Sequence, residues 1–243
     1  MTTAALLSAA ADKAGVHIST LEPMLCRARW SPTILAAELE REGWFARLEE
    51  TLIAAYVERS VRAIGPIGAV ELTDERCREL ISPKLERAVQ IYDGGPALCL
   101  GKTGIGKSLA SRLMARKVGR RLARESIVEN KDRLTDIYAA ANLNIVWASA
   151  TDLALAVARH PLGRGMPEEM AGASKSALLV LDDLTWPQRD DATLEVLAAR
   201  YDAGKPTIAT AGCTGKELVT RFGDAVVRRL MECRGVKGLL VEE

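Results

Sequence analysis

Residues Gly101-Lys102-Thr103-Gly104-Ile105-Gly106-Lys107-Ser108 carry the spacing G-x-x-x-x-G-K-[ST]. Glycines at these places let the backbone close into a concave nest whose N–H groups point at phosphate oxygens. Lys107 then reaches the β and γ phosphates, and the Ser108 hydroxyl sits on Mg²⁺. Such a cradle needs a strand before it and a helix after it. The apolar run Ala97-Leu98-Cys99-Leu100 and the pattern Leu109, Leu113, Met114, Val118, Leu122 supply both.

A second set of oxygens follows about 75 residues later, in Ala177-Leu-Leu-Val-Leu-Asp182-Asp183-Leu. An apolar run ending in two carboxylates reads as a buried parallel strand whose tip meets the phosphates. Asp182 is expected to hold Mg²⁺, directly or through water, and Asp183 to polarise the attacking water. The plainer alternative is an acidic pair that caps the next helix. An Asp base is one methylene shorter than the more usual Glu, so its reach bears on the hydrolysis rate. Further on, Lys-Pro-Thr207-Ile-Ala-Thr210-Ala-Gly reads as a strand with hydroxyls near its end. Thr210 is the candidate for a polar group between the cradle and the acidic strand, close to the γ-phosphate, although Thr also occurs in strands for β-propensity alone. Arg228 and Arg229 then lie on a helix, as a solvated face or as an arginine finger reaching a phosphate on a neighbouring subunit.

The elements that must position these groups alternate from Gly94-Gly95 onward. Strands are expected at 97–100, 144–148, 177–182, 206–211 and 236–241, with helices at 107–124, 151–160, 166–172, 191–203, 215–221 and 224–233. Such alternation implies a parallel sheet with right-handed crossovers and helices on both faces, with ligands beyond the carboxyl ends of the strands. Residues 1 to about 90 read as helical. Ser31-Pro32, Thr73 and Ser82-Pro83 mark helix starts, Trp44 to about Ala63 carries a helical apolar stripe, and Gly65-Pro66-Ile67-Gly68 ends it as a boundary or hinge. The reading is thus an α/β domain at 85–243 preceded by a small helical domain at 1–84.

A chain of 243 residues holds one substantial core with room for a helical appendage. A formal charge of +1 supplies no global field that would select nucleic acid or membrane, so any nucleic-acid contact must come from a local patch. The five cysteines (Cys26, Cys77, Cys99, Cys213 and Cys233) are odd in number and lack metal-ligand spacing, which favours a reducing cytoplasm. Neither a secretion signal nor a membrane span is legible.

In its order of motifs, from the cradle through Leu-Leu-Val-Leu-Asp-Asp-Leu and Lys-Pro-Thr-Ile-Ala-Thr to Glu-Leu-Val-Thr-Arg-Phe-Gly-Asp-Ala-Val-Val-Arg-Arg-Leu, the chain resembles the AAA+ ATPases of the DnaC and IstB group. These are helicase loaders and transposition helper ATPases. The resemblance covers roughly residues 85 to 243. It implies a P-loop AAA+ sheet, ATP and Mg²⁺ as cofactors, Asp182 as metal ligand, Asp183 as hydrolytic base and Arg229 as a finger acting in trans. It further implies self-association through the ATP sites, a hexameric replicative helicase gripped by the N-terminal region, and single-stranded DNA as a partner. Two departures stand out. The family's sensor-strand Asn aligns with Gly212, so that role is lost or moved to Thr210. The interval from Lys107 to Asn144 is about 20 residues longer than the family norm, implying an extra element within 121–143 that includes a short helix at Arg133 to Ala141.

The helix after the cradle carries Arg112, Arg116, Arg120 and Arg124 at spacing i, i+4. This stripe reads either as a phosphate-contacting row or as a face paired with acidic neighbours such as Glu125, Glu129 and Asp132. Trp30, Trp44, Trp147 and Trp186 read first as packing residues, with Trp186 the best candidate for base stacking. His17 and His160 read as surface or capping groups. The rival readings are an IstB-like helper that binds duplex DNA and a transposase, a P-loop small-molecule kinase, and a binding switch with weak hydrolysis.

Overall fold

The computed structural model describes residues 2–66, 71–129, 143–161, 163–184, 191–233 and 235–243. The expected extra helix at Arg133 to Ala141 and Trp186 lie outside the described residues. Contacts divide the chain into two compact units, one of residues 1–62 and 120–142, the other of residues 63–119 and 143–243.

In the first unit, α1 (Thr3–Ala14), α2 (Ile18–Arg27), α3 (Pro32–Leu39) and α4 (Trp44–Val61) enclose Leu21, Leu25, Leu35, Trp44, Leu48 and Leu52. Local chemistry sets where the helices begin. Ser31 Oγ accepts the Ile34 N–H at 3.3 Å with Pro32 in the first turn, and His17 Nδ1 accepts the Ser19 N–H at 3.2 Å. Trp44, 4% exposed, is a packing residue and offers no platform for a base.

The second unit opens with α5 (Asp74–Glu79) and α6 (Pro83–Ile91), capped by Thr73 and Ser82 as the sequence led one to expect. Then follow β1 (Ala97–Leu100), α7 (Lys107–Glu129, whose residues from 120 onward count with the first unit), β2 (Ile145–Ser149), α8 (Ala150–Arg159), α9 (Glu168–Lys175), β3 (Leu178–Asp182), α10 (Asp191–Asp202), β4 (Thr207–Ala211), α11 (Gly215–Phe222) and α12 (Asp224–Met231). A hairpin of β5 (Glu232–Cys233) and β6 (Val236–Lys237) leads to β7 (Leu239–Glu242). The sheet has five strands in the order β2-β3-β4-β1-β7, all paired in parallel. Every residue of β1 and β4 is buried, as a sheet covered on both faces requires.

One expectation is revised. The strand read at 236–241 is broken at Gly238, because Gly238 N–H donates to Met231 O at 2.6 Å and a Cβ there would meet Pro96 O at 2.6 Å. Its first part therefore pairs antiparallel with Glu232 and Cys233, the end of the helix expected at 224–233. The Arg112 guanidinium, 0% exposed, donates to Ile64 O and Cys77 Sγ and so holds these two residues to the α7 segment next to the cradle. Gly65 belongs to the same packing, since a Cβ there would meet Arg112 Cδ at 2.8 Å.

Among the described residues no helix is long and apolar enough to cross a membrane. Cys26 is exposed, Cys77, Cys99 and Cys213 are buried, and burial pushes the Cys99 thiol up to about 12. A thiol reagent at pH 8 is expected to label Cys26 first and Cys99 only after unfolding. Equal rates at these two residues in the native protein would contradict the packing around β1.

Candidate nucleotide site

Parallel pairing sets the carboxyl ends of β1, β3 and β4 along one edge, and β4 lies between the other two. The cradle leaves β1 at Gly101 and enters α7 at Lys107, with a backbone shape that only glycine adopts easily. Gly106 has φ +92°, and a Cβ on it would meet Ile81 Cα and Leu80 O at 2.9 Å. Gly104 has φ +93° and nothing within 4 Å of a built Cβ, so its backbone faces open space where a phosphate can approach. Ser82 N–H donates to Ile105 O at 3.2 Å and ties the loop to the start of α6.

Lys107 bridges its own loop, with Nζ donating to Gly101 O and to Lys102 O at 2.8 Å each. Burial lowers its pKa from the ordinary lysine value, while Asp183 and Asp182 pull the other way. Ser108 Oγ donates to Asp182 Oδ1 at 2.8 Å. Two residues 74 apart in sequence thus present hard oxygens at one point, the donor chemistry that Mg²⁺ prefers when phosphates complete its shell. When bound there, the cation would screen phosphate charge; Ser108 and Asp182 would hold it. Among the described residues no cluster of three or more His, Cys, Asp or Glu forms a metal site without a nucleotide.

Thr210, 1% exposed, faces the same carboxylate. Its Oγ1 donates to Asp182 Oδ1 at 2.7 Å and accepts the Asp183 N–H at 2.8 Å, while its carbonyl accepts the Leu184 N–H at 2.8 Å. Asp183 is exposed and has φ +57°, a left-handed conformation that costs an L residue roughly 1–2 kcal/mol. Cradle, Asp182, Asp183, Thr210 and Gly212 line one cavity of about 550 Å³, together with Leu80 and Leu109. Gly212, having no side chain, brings only backbone to that wall.

Arg229 is on α12 and does not line this cavity. It is half-buried, and its Nε has no hydrogen-bond partner among the described residues. The preceding α11 carries a capping box in which the Thr214 backbone N–H and hydroxyl donate to Glu217, holding that carboxylate below its usual range.

The arginine stripe of α7 is engaged within the chain. Arg116 pairs with Asp74 at 2.5 Å, Arg120 with Glu58 at 2.5 Å and Arg124 with Glu50 at 2.7 Å, while Arg112 is buried. The partners come from α5 and α4 rather than from the acidic residues nearby in sequence. A row already matched to carboxylates is not a row of free phosphate contacts. Arg200 on α10 is a further buried cation, set between the end of α9 and the start of β4, and a lone Arg in a helical pattern gives no sequence sign of such surroundings.

No protein-family model matches the chain, and no curated protein matches it. Solved structures do. AMPPCP-bound DnaA from Aquifex aeolicus is 22% identical over 69% of this chain, with a TM-score of 0.41, and the match spans only 44% of the DnaA chain. A candidate primosome component from Streptococcus pyogenes serotype M3 is 20% identical over 78% of this chain and 95% of its own, with a TM-score of 0.44. DnaI is 18% identical over 76% of this chain and 93% of its own, with a TM-score of 0.43. The α/β architecture itself, a parallel sheet with a glycine-rich loop after an interior strand, stands on the strand order and pairing.

Proposed function

We propose that this chain is an ATP-dependent helicase loader of the AAA+ type. The observation that carries the nucleotide reading is the meeting of Ser108, Asp182 and Asp183 beside the Gly104 to Lys107 cradle, with one cavity in front of all of them. That arrangement suits a nucleoside triphosphate with Mg²⁺, and Asp183, on the wall of the same cavity, is the group that would turn a water toward the terminal phosphate. A small-molecule kinase is less well supported, because the basic residues 116–124 that could imitate a lid continue the cradle's own helix.

Helicase loading rests on the sequence resemblance. In this reading Arg229 completes the ATP site of the next subunit, the N-terminal helices hold a hexameric replicative helicase, and nucleotide state decides whether helicase and single-stranded DNA are held or released. The α7 stripe plays no part in DNA contact.

The test has two arms. Turnover should be measurable with ATP and Mg²⁺, and Asp183→Asn should lower it by about 100-fold while ATP still binds; undiminished turnover in that variant would remove Asp183 from the chemistry. Mixing the full chain with a hexameric replicative helicase and ATP should give a co-migrating complex. A complex with a transposase and duplex DNA, but none with helicase, would replace loading by transposition assistance.

A further inference from the structure

We propose that Thr210 is a positioning residue that sets both carboxylates of the site through one hydroxyl and itself touches no nucleotide. The inference rests on the nucleotide reading above. Its basis is the direction of each hydrogen bond. The Asp183 N–H can only donate, so Thr210 Oγ1 must accept there at 2.8 Å. The hydroxyl's single proton is then committed to Asp182 Oδ1 at 2.7 Å. Ser108 likewise commits its proton to that same oxygen, so the Ser108 lone pairs are left for a cation. Oδ1 is held from two sides, one on the cradle helix and one on β4, and the carboxylate cannot rotate without breaking both bonds.

The same hydroxyl governs Asp183. Paired residues of β3 and β4 end at Leu181↔Ala209. Beyond that point the Thr210 hydroxyl and carbonyl receive the N–H groups of Asp183 and Leu184 in place of a regular ladder. The bond to the Asp183 N–H holds a backbone with φ +57°, and this turn out of the strand is what brings the Asp183 carboxylate to the cavity wall. Thr210 could contact a phosphate only by giving up Asp182. At 1% exposure it is placed to act through its two neighbours instead.

Thr210→Val keeps the shape and deletes the hydroxyl; Thr210→Ser keeps the hydroxyl. Binding of a fluorescent ATP analogue in EDTA should be the same in all three proteins, which also shows that the variants fold. In Thr210→Val the Mg²⁺ concentration for half-maximal turnover should rise about 10-fold and turnover should fall about 10- to 100-fold, as for loss of a group that orients a metal ligand. Thr210→Ser should recover most of both. Wild-type Mg²⁺ dependence in Thr210→Val, or a Thr210→Ser variant as impaired as Thr210→Val, overturns the inference. If the unaltered protein binds the analogue with Mg²⁺ but turns over no ATP, the gain in affinity on adding Mg²⁺ decides in place of the rate. If it binds no nucleotide at all, the nucleotide reading fails first and this inference falls with it.

Discussion

Replacing Lys107 with alanine is expected to weaken ATP binding by about 100- to 1000-fold, the equivalent of roughly 3–4 kcal/mol. The ammonium is half-buried at the mouth of the cradle and, among the described residues, bonded to the Gly101 and Lys102 carbonyls. These neutral acceptors would be exchanged for charged phosphate oxygens, and hydrogen bonds to charged partners contribute roughly 1.5–3 kcal/mol each. Titration by calorimetry measures the change, and a dissociation constant within about threefold of the unaltered protein would remove Lys107 from the site. Acidity adds a second readout. Because burial lowers the Lys107 pKa in the nucleotide-free protein, the charge is lost at a lower pH than for an ordinary lysine. Affinity should therefore fall as pH rises through that lowered value, and in Lys107→Ala this dependence should vanish. The effect on stability has the opposite sign. A buried ammonium disfavours the folded state while charged, so its contribution improves between the lowered folded pKa and the ordinary unfolded one.

The second large effect concerns stability. Arg200 on α10 is 1% exposed and donates to Ala173 O at 2.7 Å, Ser176 O at 2.9 Å, Ser176 Oγ at 2.8 Å, Thr207 Oγ1 at 3.0 Å and Pro206 O at 2.5 Å. One planar cation thus gathers the end of α9, the approach to β4 and β4 itself. Burial lowers its pKa to about 10, so it remains charged at neutral pH, and its partners are carbonyls and hydroxyls. Removing the guanidinium leaves several buried acceptors unpaired. Arg200→Met is expected to cost about 3–5 kcal/mol and to lower the melting temperature by roughly 10 °C. Lysine cannot place donors at five acceptors, so Arg200→Lys should recover little. Unfolding in urea followed by circular dichroism checks both variants, and losses below about 1 kcal/mol would show that water or local repacking satisfies those carbonyls.

The α7 arginines show why local reading stops where it does. Spacing alone placed Arg112, Arg116, Arg120 and Arg124 on one face, and the helix does present them so. Whether that face meets phosphate or carboxylate depends on chain 42 to 74 residues distant. At the exposed end each pair contributes little energy, since ion pairs in water are worth roughly 0–1 kcal/mol. Arg112 differs because it is buried, and it ties Ile64 O and Cys77 Sγ to the cradle's helix. The hairpin before β7 escaped notice for a related cause. Apolar residues continue through Val236 and Leu239, and only the close approach of Gly238 to Pro96 interrupts the strand.

By itself the sequence determined the cradle, the acidic strand tip, the alternation that makes a parallel sheet and the helix starts at Ser31, Thr73 and Ser82. All of these follow from interactions spanning a few residues: glycine conformations, apolar periodicity, and side chains that cap their own helix. Tertiary structure alone decided that Ser108 and Thr210 share Asp182 Oδ1, that Asp183 turns left-handed against β4, that Arg200 is enclosed by carbonyls and that the α7 stripe is already paired. Each depends on which strands and helices become neighbours, and hydrogen-bond direction and burial are properties of neighbours in space.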